Sequence, residues 1–276
     1  MVLLSLAGTV ATLVFVVSSM LAMGSGLTVA QISEPLGNIW LVFLAILANF
    51  VLMPLGAFAL AKVLWLDEPF AVGLLVLGCS AGAPFLPKLA EVAKGNLAFA
   101  VGAMVLLMVI TVGYLPIVLP LLLPGVTVDA WKIARSLVLL MLLPLAVGLV
   151  FKARYEDLAP RVKPVLGSIA NVSLIVMTLL IVITNFDKIL DVFGTRAILA
   201  GFLFIVLGFA IGWLLGGDDA GTRRVMALGT AQRNIAAALV VASQNFSDPK
   251  VVVIVIVVSN VGLILLMPLA RALANR

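Results

Sequence analysis

Two positive charges stand in stretches of this chain that are otherwise too apolar to solvate them. Lys88 closes the segment Gly78-Cys79-Ser80-Ala81-Gly82-Ala83-Pro84-Phe85-Leu86-Pro87-Lys88, and Arg233 lies between two amides in Gly229-Thr230-Ala231-Gln232-Arg233-Asn234. A cation at membrane depth is costly unless it faces a polar cavity or an ion. The chemistry it offers is a charge-assisted hydrogen bond to a carboxylate or sulfonate. Lys88 has a second reading, in which it snorkels to a membrane surface or pairs with Glu91 at i+3. Glu91 is the one acidic residue placed to carry a proton, and Lys88 beside it would hold it ionised. Asn171 and Asn260 lie inside apolar runs, where an amide serves equally as an interhelical hydrogen bond or a contact for a bound molecule. Phe85 and Cys79 read as packing residues, and Pro87 as part of a helix break.

The elements that must position these groups follow from composition. The chain has 276 residues, 64% hydrophobic and only 11% charged, with a mean hydropathy of +1.32, far more apolar surface than a soluble globule can cover. It reads as an all-α membrane protein, which excludes ordinary soluble enzymes and nucleic-acid binders. At about 20 residues per span, the apolar runs place nine transmembrane helices near Leu3 to Met23, Leu36 to Ala61, Phe70 to Val92, Asn96 to Leu123, Arg135 to Phe151, Val165 to Thr184, Ala197 to Leu215, Arg223 to Gln244 and Val251 to Leu273. The first lacks a basic n-region and is too long for a signal-peptide core, so a retained helix is expected. Nothing is left over for a soluble domain, and residues 1–276 read as one transmembrane unit. No histidine and one cysteine rule out a transition-metal site, a histidine proton relay and an internal disulfide, and no cofactor is called for. The net charge of +5 matches the excess of Lys and Arg that cytoplasmic loops need. With the N-terminus outside and the C-terminus cytoplasmic, nine of the 17 Lys and Arg fall in inner loops and six outside. One loop dissents: Gly24 to Gly37, expected inside, carries Glu34 and no basic residue.

The third and eighth spans are interrupted. Pro84 and Pro87 each remove a backbone donor and clash with the preceding turn, so the third helix is expected to unwind near Ala83 to Pro87. The eighth is expected to unwind near Ala231 to Asn234. Broken spans at matching places in two halves are the mark of a secondary transporter built from an inverted repeat, and unwound backbone is tolerated in a bilayer only where it lines a cavity or is buried in protein. The fifth to ninth spans form one five-helix repeat, and the first four form another that lacks its opening helix.

The stretches Val76 to Gly82, Leu89 to Ala98 (Leu-Ala-Glu-Val-Ala-Lys-Gly-Asn-Leu-Ala), Asn49 to Pro54 (Asn-Phe-Val-Leu-Met-Pro) and Gln232 to Leu239 together resemble the bile acid:sodium symporter family, in its nine-helix form. The resemblance implies a panel domain of the first, fifth and sixth spans (about 1–23 and 130–184) and a core domain of the others (about 36–123 and 197–273). It also implies broken helices that cross in the core, a small organic anion as substrate in the cleft, and alternating access in a lipid bilayer. In sodium-coupled members two Na+ ions sit at the crossing. Here the family's Ser-Asn site falls on Phe85 to Lys88, its hydroxyl positions on Ala100 and Met104, and its Glu position on Ala227 or Leu228. Only Asn49, where the family has Gln, and Gln232 remain as side-chain ligands. A hard cation needs several oxygens, so a bound Na+ is doubtful.

The expectation is that Lys88 and Arg233 are fixed charges in place of both ions, with Gln232, Asn234, Asn49, Phe85 and Pro87 around them. A sodium-independent organic anion carrier in a bacterial inner membrane is the leading reading. A sodium-coupled symporter, or a membrane sensor that has kept the fold, is the alternative. An intramembrane enzyme is the least supported, since no catalytic pair is present. Neither the substrate nor the oligomeric state is written in these residues.

Overall fold

The computed structural model describes residues 2–28, 30, 33, 37–123, 129–184, 192 and 195–275. Glu34, Leu36, Lys188 and Arg276, which enter the span limits and the charge count above, lie outside the described residues. Every regular element described is helical: α1 Val2–Gly24, α2 Ile39–Val63, α3 Glu68–Cys79, α4 Leu86–Val92, α5 Leu97–Leu122, α6 Ala130–Arg154, α7 Ala159–Thr184, α8 Ala197–Leu215, α9 Ala220–Ala231, α10 Ile235–Asn245 and α11 Pro249–Ala274. Six stretches are long and apolar enough to cross a membrane by length and composition: α2, α5, α6, α8, α11 and the α9–α10 pair. The chain is an integral membrane protein.

Helix starts are set by caps that a search for apolar runs overlooks. Asn38, Asn96, Asp129, Asp219, Asn234 and Asp248 each accept a backbone N–H of the first turn that follows, satisfying a donor with no partner inside the helix. The fifth expected span therefore begins at Ala130 instead of Arg135, its first turn carrying Trp131 and Lys132 behind the Asp129 cap. Likewise the eighth begins at Ala220, where Asp219 Oδ2 accepts both the backbone N–H and the hydroxyl of Thr222, each at 2.7 Å.

Those bonds, the hydroxyl's first, hold the Asp219 carboxyl below its ordinary value. A group whose folded pKa is depressed contributes stability above its unfolded pKa and loses it as pH falls through the folded one. The unfolding midpoint should therefore decline below about pH 3.9, the ordinary Asp value. In Asp219→Asn, which still caps but does not titrate, this part of the decline should be missing. Equal pH profiles would contradict the assignment.

The helices fall into two packed groups. Helix α1 lies against α6 and α7, and at its closest approach Gly24 faces Gly148: a side chain on either would run into the other helix's backbone. In the second group α8 packs on α9, α2 on α3 and α8, and α11 on α3, α8 and α10. The groups meet where α5 and α10 touch α6 and where α1 touches α10.

Both expected breaks are present, with shifted limits. α3 ends at Cys79 and α4 begins at Leu86, so the unwound segment is 80–85, starting three residues earlier than the prolines suggest. Pro87 belongs to the first turn of α4, where a missing N–H costs nothing. In the second break Ala231 is still helical and only 232–234 are non-helical. The halves pair crosswise, α3 with α10 and α4 with α9, so the two unwound segments lie together.

Candidate functional site

Unwinding strips carbonyls of their helical donors, and each needs a new partner. In the first break the Ser80 carbonyl accepts the backbone N–H of Asn234 at 2.9 Å, and that of Gly82 accepts Asn234 Nδ2 at 3.0 Å. Ala81 exchanges two bonds with the Thr111 hydroxyl, its N–H donating at 3.0 Å and its carbonyl accepting at 3.1 Å. Asn234 thus caps α10 with its Oδ1 while tying the second break to the first. Gly82 has φ +77°, and a Cβ there would stand 2.6 Å from the Met104 carbonyl oxygen and 2.7 Å from Met108 Cα. Only glycine combines that dihedral with so close an approach to α5.

A third source of bare carbonyls is α2, which carries a π-turn at Ala48–Leu52 followed by Pro54. The Met53 N–H reaches back to Ala48 and Pro54 has none, so the Asn49 carbonyl has no donor at i+4 or i+5 and Phe50 has none at i+4. The Tyr114 hydroxyl donates to Phe50 at 2.5 Å.

Arg233 takes the other. Its side chain is buried, 4% exposed, and its five N–H groups all reach protein oxygens. Nε donates to the Leu77 carbonyl at 3.0 Å and Nη2 to the Gly78 carbonyl at 2.7 Å, both in the last turn of α3. Nη2 also reaches the Asn49 carbonyl at 3.4 Å. Nη1 donates to Asn49 Oδ1 at 2.7 Å and to the Thr230 carbonyl at 3.2 Å. The Asn49 amide is completed by bonds from its Nδ2 to the Ala45 carbonyl and the Thr230 hydroxyl. The guanidinium therefore sits where three helices converge, at the negative end of the α3 dipole, coordinated as a metal cation would be by carbonyl oxygens. With every donor engaged, none is left for an anion.

The remaining candidates are dispersed. Lys88 does not reach the crossing. It lies on the exposed face of α4, 2.9 Å from Glu91, because Phe85, Lys88 and Glu91 follow at i, i+3 and i+6 while Leu86, Leu89 and Ala90 face the interior. Glu91 is exposed in the same pair. Gln232 is buried and lines a cavity of about 10 Å³ with Phe204, Ala231, Ser259 and Gly262. Asn260 bonds back to Ile256 of its own helix and, among the described residues, bridges no other; Asn171 is exposed on α7, and Phe85 is 36% exposed. Ala100, Met104, Ala227 and Leu228 are buried and bring no side-chain oxygen to the core. Thr111, Tyr114 and Thr230 were not among the sequence candidates. Their signal is a hydroxyl inside an apolar run, combined with the proline four residues after Phe50.

Two broken helices crossing at a polar node, in a membrane chain whose described elements are all helical, define a membrane transporter fold. The family model for the sodium bile acid symporter family matches residues 12–192, and the chain belongs to that family. Among its relatives, the probable sodium/metabolite cotransporter BASS1 of Arabidopsis thaliana chloroplasts is 29% identical over 242 residues, covering 86% of this chain and 60% of the relative. The uncharacterized sodium-dependent transporter YocS of Bacillus subtilis is 26% identical over 202 residues, 71% of this chain and 60% of the relative. The hepatic sodium/bile acid cotransporter of Rattus norvegicus is 25% identical over 226 residues, 78% of this chain and 62% of the relative. The chain thus spans about 60% of the length of the curated relatives it matches.

Proposed function

We propose that this chain is a secondary carrier of a small organic anion that works by alternating access without sodium. In this reading nine spans form an inverted repeat, with the N-terminus outside and the C-terminus in the cytoplasm of a bacterium. The group α1, α6 and α7 acts as the panel, and α2 to α5 with α8 to α11 as the core. The observation that carries the sodium clause is the placement of Arg233, which fills a ring of oxygens with a charge that cannot leave. An ion shifts a conformational equilibrium only through differential affinity for the two states, and a permanently tethered cation has no bulk concentration to respond to. Because its donors are used up, Arg233 holds the crossing together, and the anion is bound by other groups of the cleft. Glu91, the proton carrier the sequence offered, lies on the surface in its pair with Lys88 and plays no part in this reading.

The relatives' names favour a second reading, sodium-coupled symport. The two separate in proteoliposomes: uptake of radiolabelled monocarboxylates should exceed that of empty vesicles equally under inward sodium and inward potassium gradients. Uptake that needs the sodium gradient would favour the second reading. Uptake no greater than in empty vesicles, for every carboxylate offered, would favour the sensor.

A further inference from the structure

The pairing of a π-turn with a proline occurs twice among the described residues. In α6 the π-turn is Val138–Leu142 and the proline is Pro144. The Leu143 N–H reaches back to the Val138 carbonyl, and Pro144 has no N–H. The Leu139 carbonyl is therefore without a donor at i+4 or i+5, and Leu140 is without one at i+4, as for Asn49 and Phe50 in α2. There the freed oxygens are taken by Arg233 and Tyr114. In α6 no side chain among the described residues donates to either. The surrounding face is open, with Leu139 47% and Leu143 53% exposed. This stretch of α6 packs on α1, and the turns before it pack on α5 and α10, which places it beside the seam between the two helix groups. A bare carbonyl facing lipid has no source of hydrogen bonds, whereas the same carbonyl facing a water-filled cleft is a ready acceptor. Helices carry π-turns frequently at functional sites.

We propose that the Leu139 and Leu140 carbonyls form a recognition site on the panel side of the cleft for a cationic or hydrogen-bond-donating group of the transported molecule. This rests on the carrier reading, and it narrows the substrate to acids that also carry a donor such as a hydroxyl or an ammonium. The carbonyls offer acceptors only. An acid with no donor would leave them dependent on water.

The test uses charged thiol reagents as the probes, on full-length protein in liposomes. The one native cysteine, Cys79, is buried, so the unmodified chain is the blank. Leu143→Cys and, as a second reporter on the same face, Leu139→Cys are labelled with trimethylammonioethyl and with sulfonatoethyl methanethiosulfonate. Tyr155→Cys, beyond the end of α6, is the reference. Both reporters should react, with a ratio of cationic to anionic labelling rates several-fold above that of the reference. Adding Pro144→Ala, which restores an N–H to the freed carbonyls, should bring the ratio down to the reference value. Lack of labelling at both positions would mean that the face is turned to lipid and would overturn the proposal. So would a ratio equal to the reference, or one that Pro144→Ala leaves unchanged. Labelling does not depend on transport, so failure of uptake with the labelling pattern intact would discredit the carrier reading alone.

Discussion

Replacing Arg233 with alanine should cost about 3–5 kcal/mol of folding stability, since leaving even two or three buried acceptors unsatisfied costs about 1–3 kcal/mol each. The loss is of an unusual kind, because no counter-charge is left behind. What remains bare are the carbonyls of Leu77, Gly78, Asn49 and Thr230 and the Asn49 Oδ1, all buried around the crossing. Arg233→Lys keeps the charge but offers three donors from one point instead of a planar fork, so it should recover only part of the loss. The check is the midpoint of thermal unfolding in detergent for the three proteins. Equal midpoints would show that Arg233 does not hold the crossing.

Gly82→Val should be comparably damaging, by upwards of about 3 kcal/mol, because it adds left-handed backbone strain to overpacking. The added Cβ meets the backbone of α5, at Met104 and Met108. Relief by a rotamer change is closed off, since neither neighbour can swing away without moving the helix. Displacing Gly82 would also pull on Ala81, whose two bonds to Thr111 fix the unwound segment. Unfolding measurements should place Gly82→Ala between the two. A valine variant as stable as the parent would mean that the first break is looser than described.

Both breaks were legible, since two prolines and a cation between amides conflict with a continuous apolar helix in ways that can be read from residue types alone. Which end a proline marks was not: Pro87 opens α4 instead of ending α3. The Lys88–Glu91 pair at i+3 was legible, and the other reading, with Lys88 at the crossing, failed for a periodic reason. Once the helix restarts at Leu86, position 88 falls opposite Leu86, Leu89 and Ala90, but the restart point itself was unknown. The two π-turns were invisible, because an α-turn and a π-turn differ by the redirection of single hydrogen bonds that no side-chain pattern marks. Asn49 was found as a candidate ligand. Its role as the acceptor for a guanidinium emerged only when the sites at 49 and 233 were brought together.

The central claim is that a tethered guanidinium has replaced a coupled cation at the crossing. A ligand that binds only the folded state raises the unfolding midpoint with its concentration, so the most direct measurement is thermal unfolding of the purified protein in sodium, potassium and choline chlorides at matched ionic strength. The account predicts superimposable midpoints across the three salts at every concentration. A midpoint that climbs with sodium alone would contradict it.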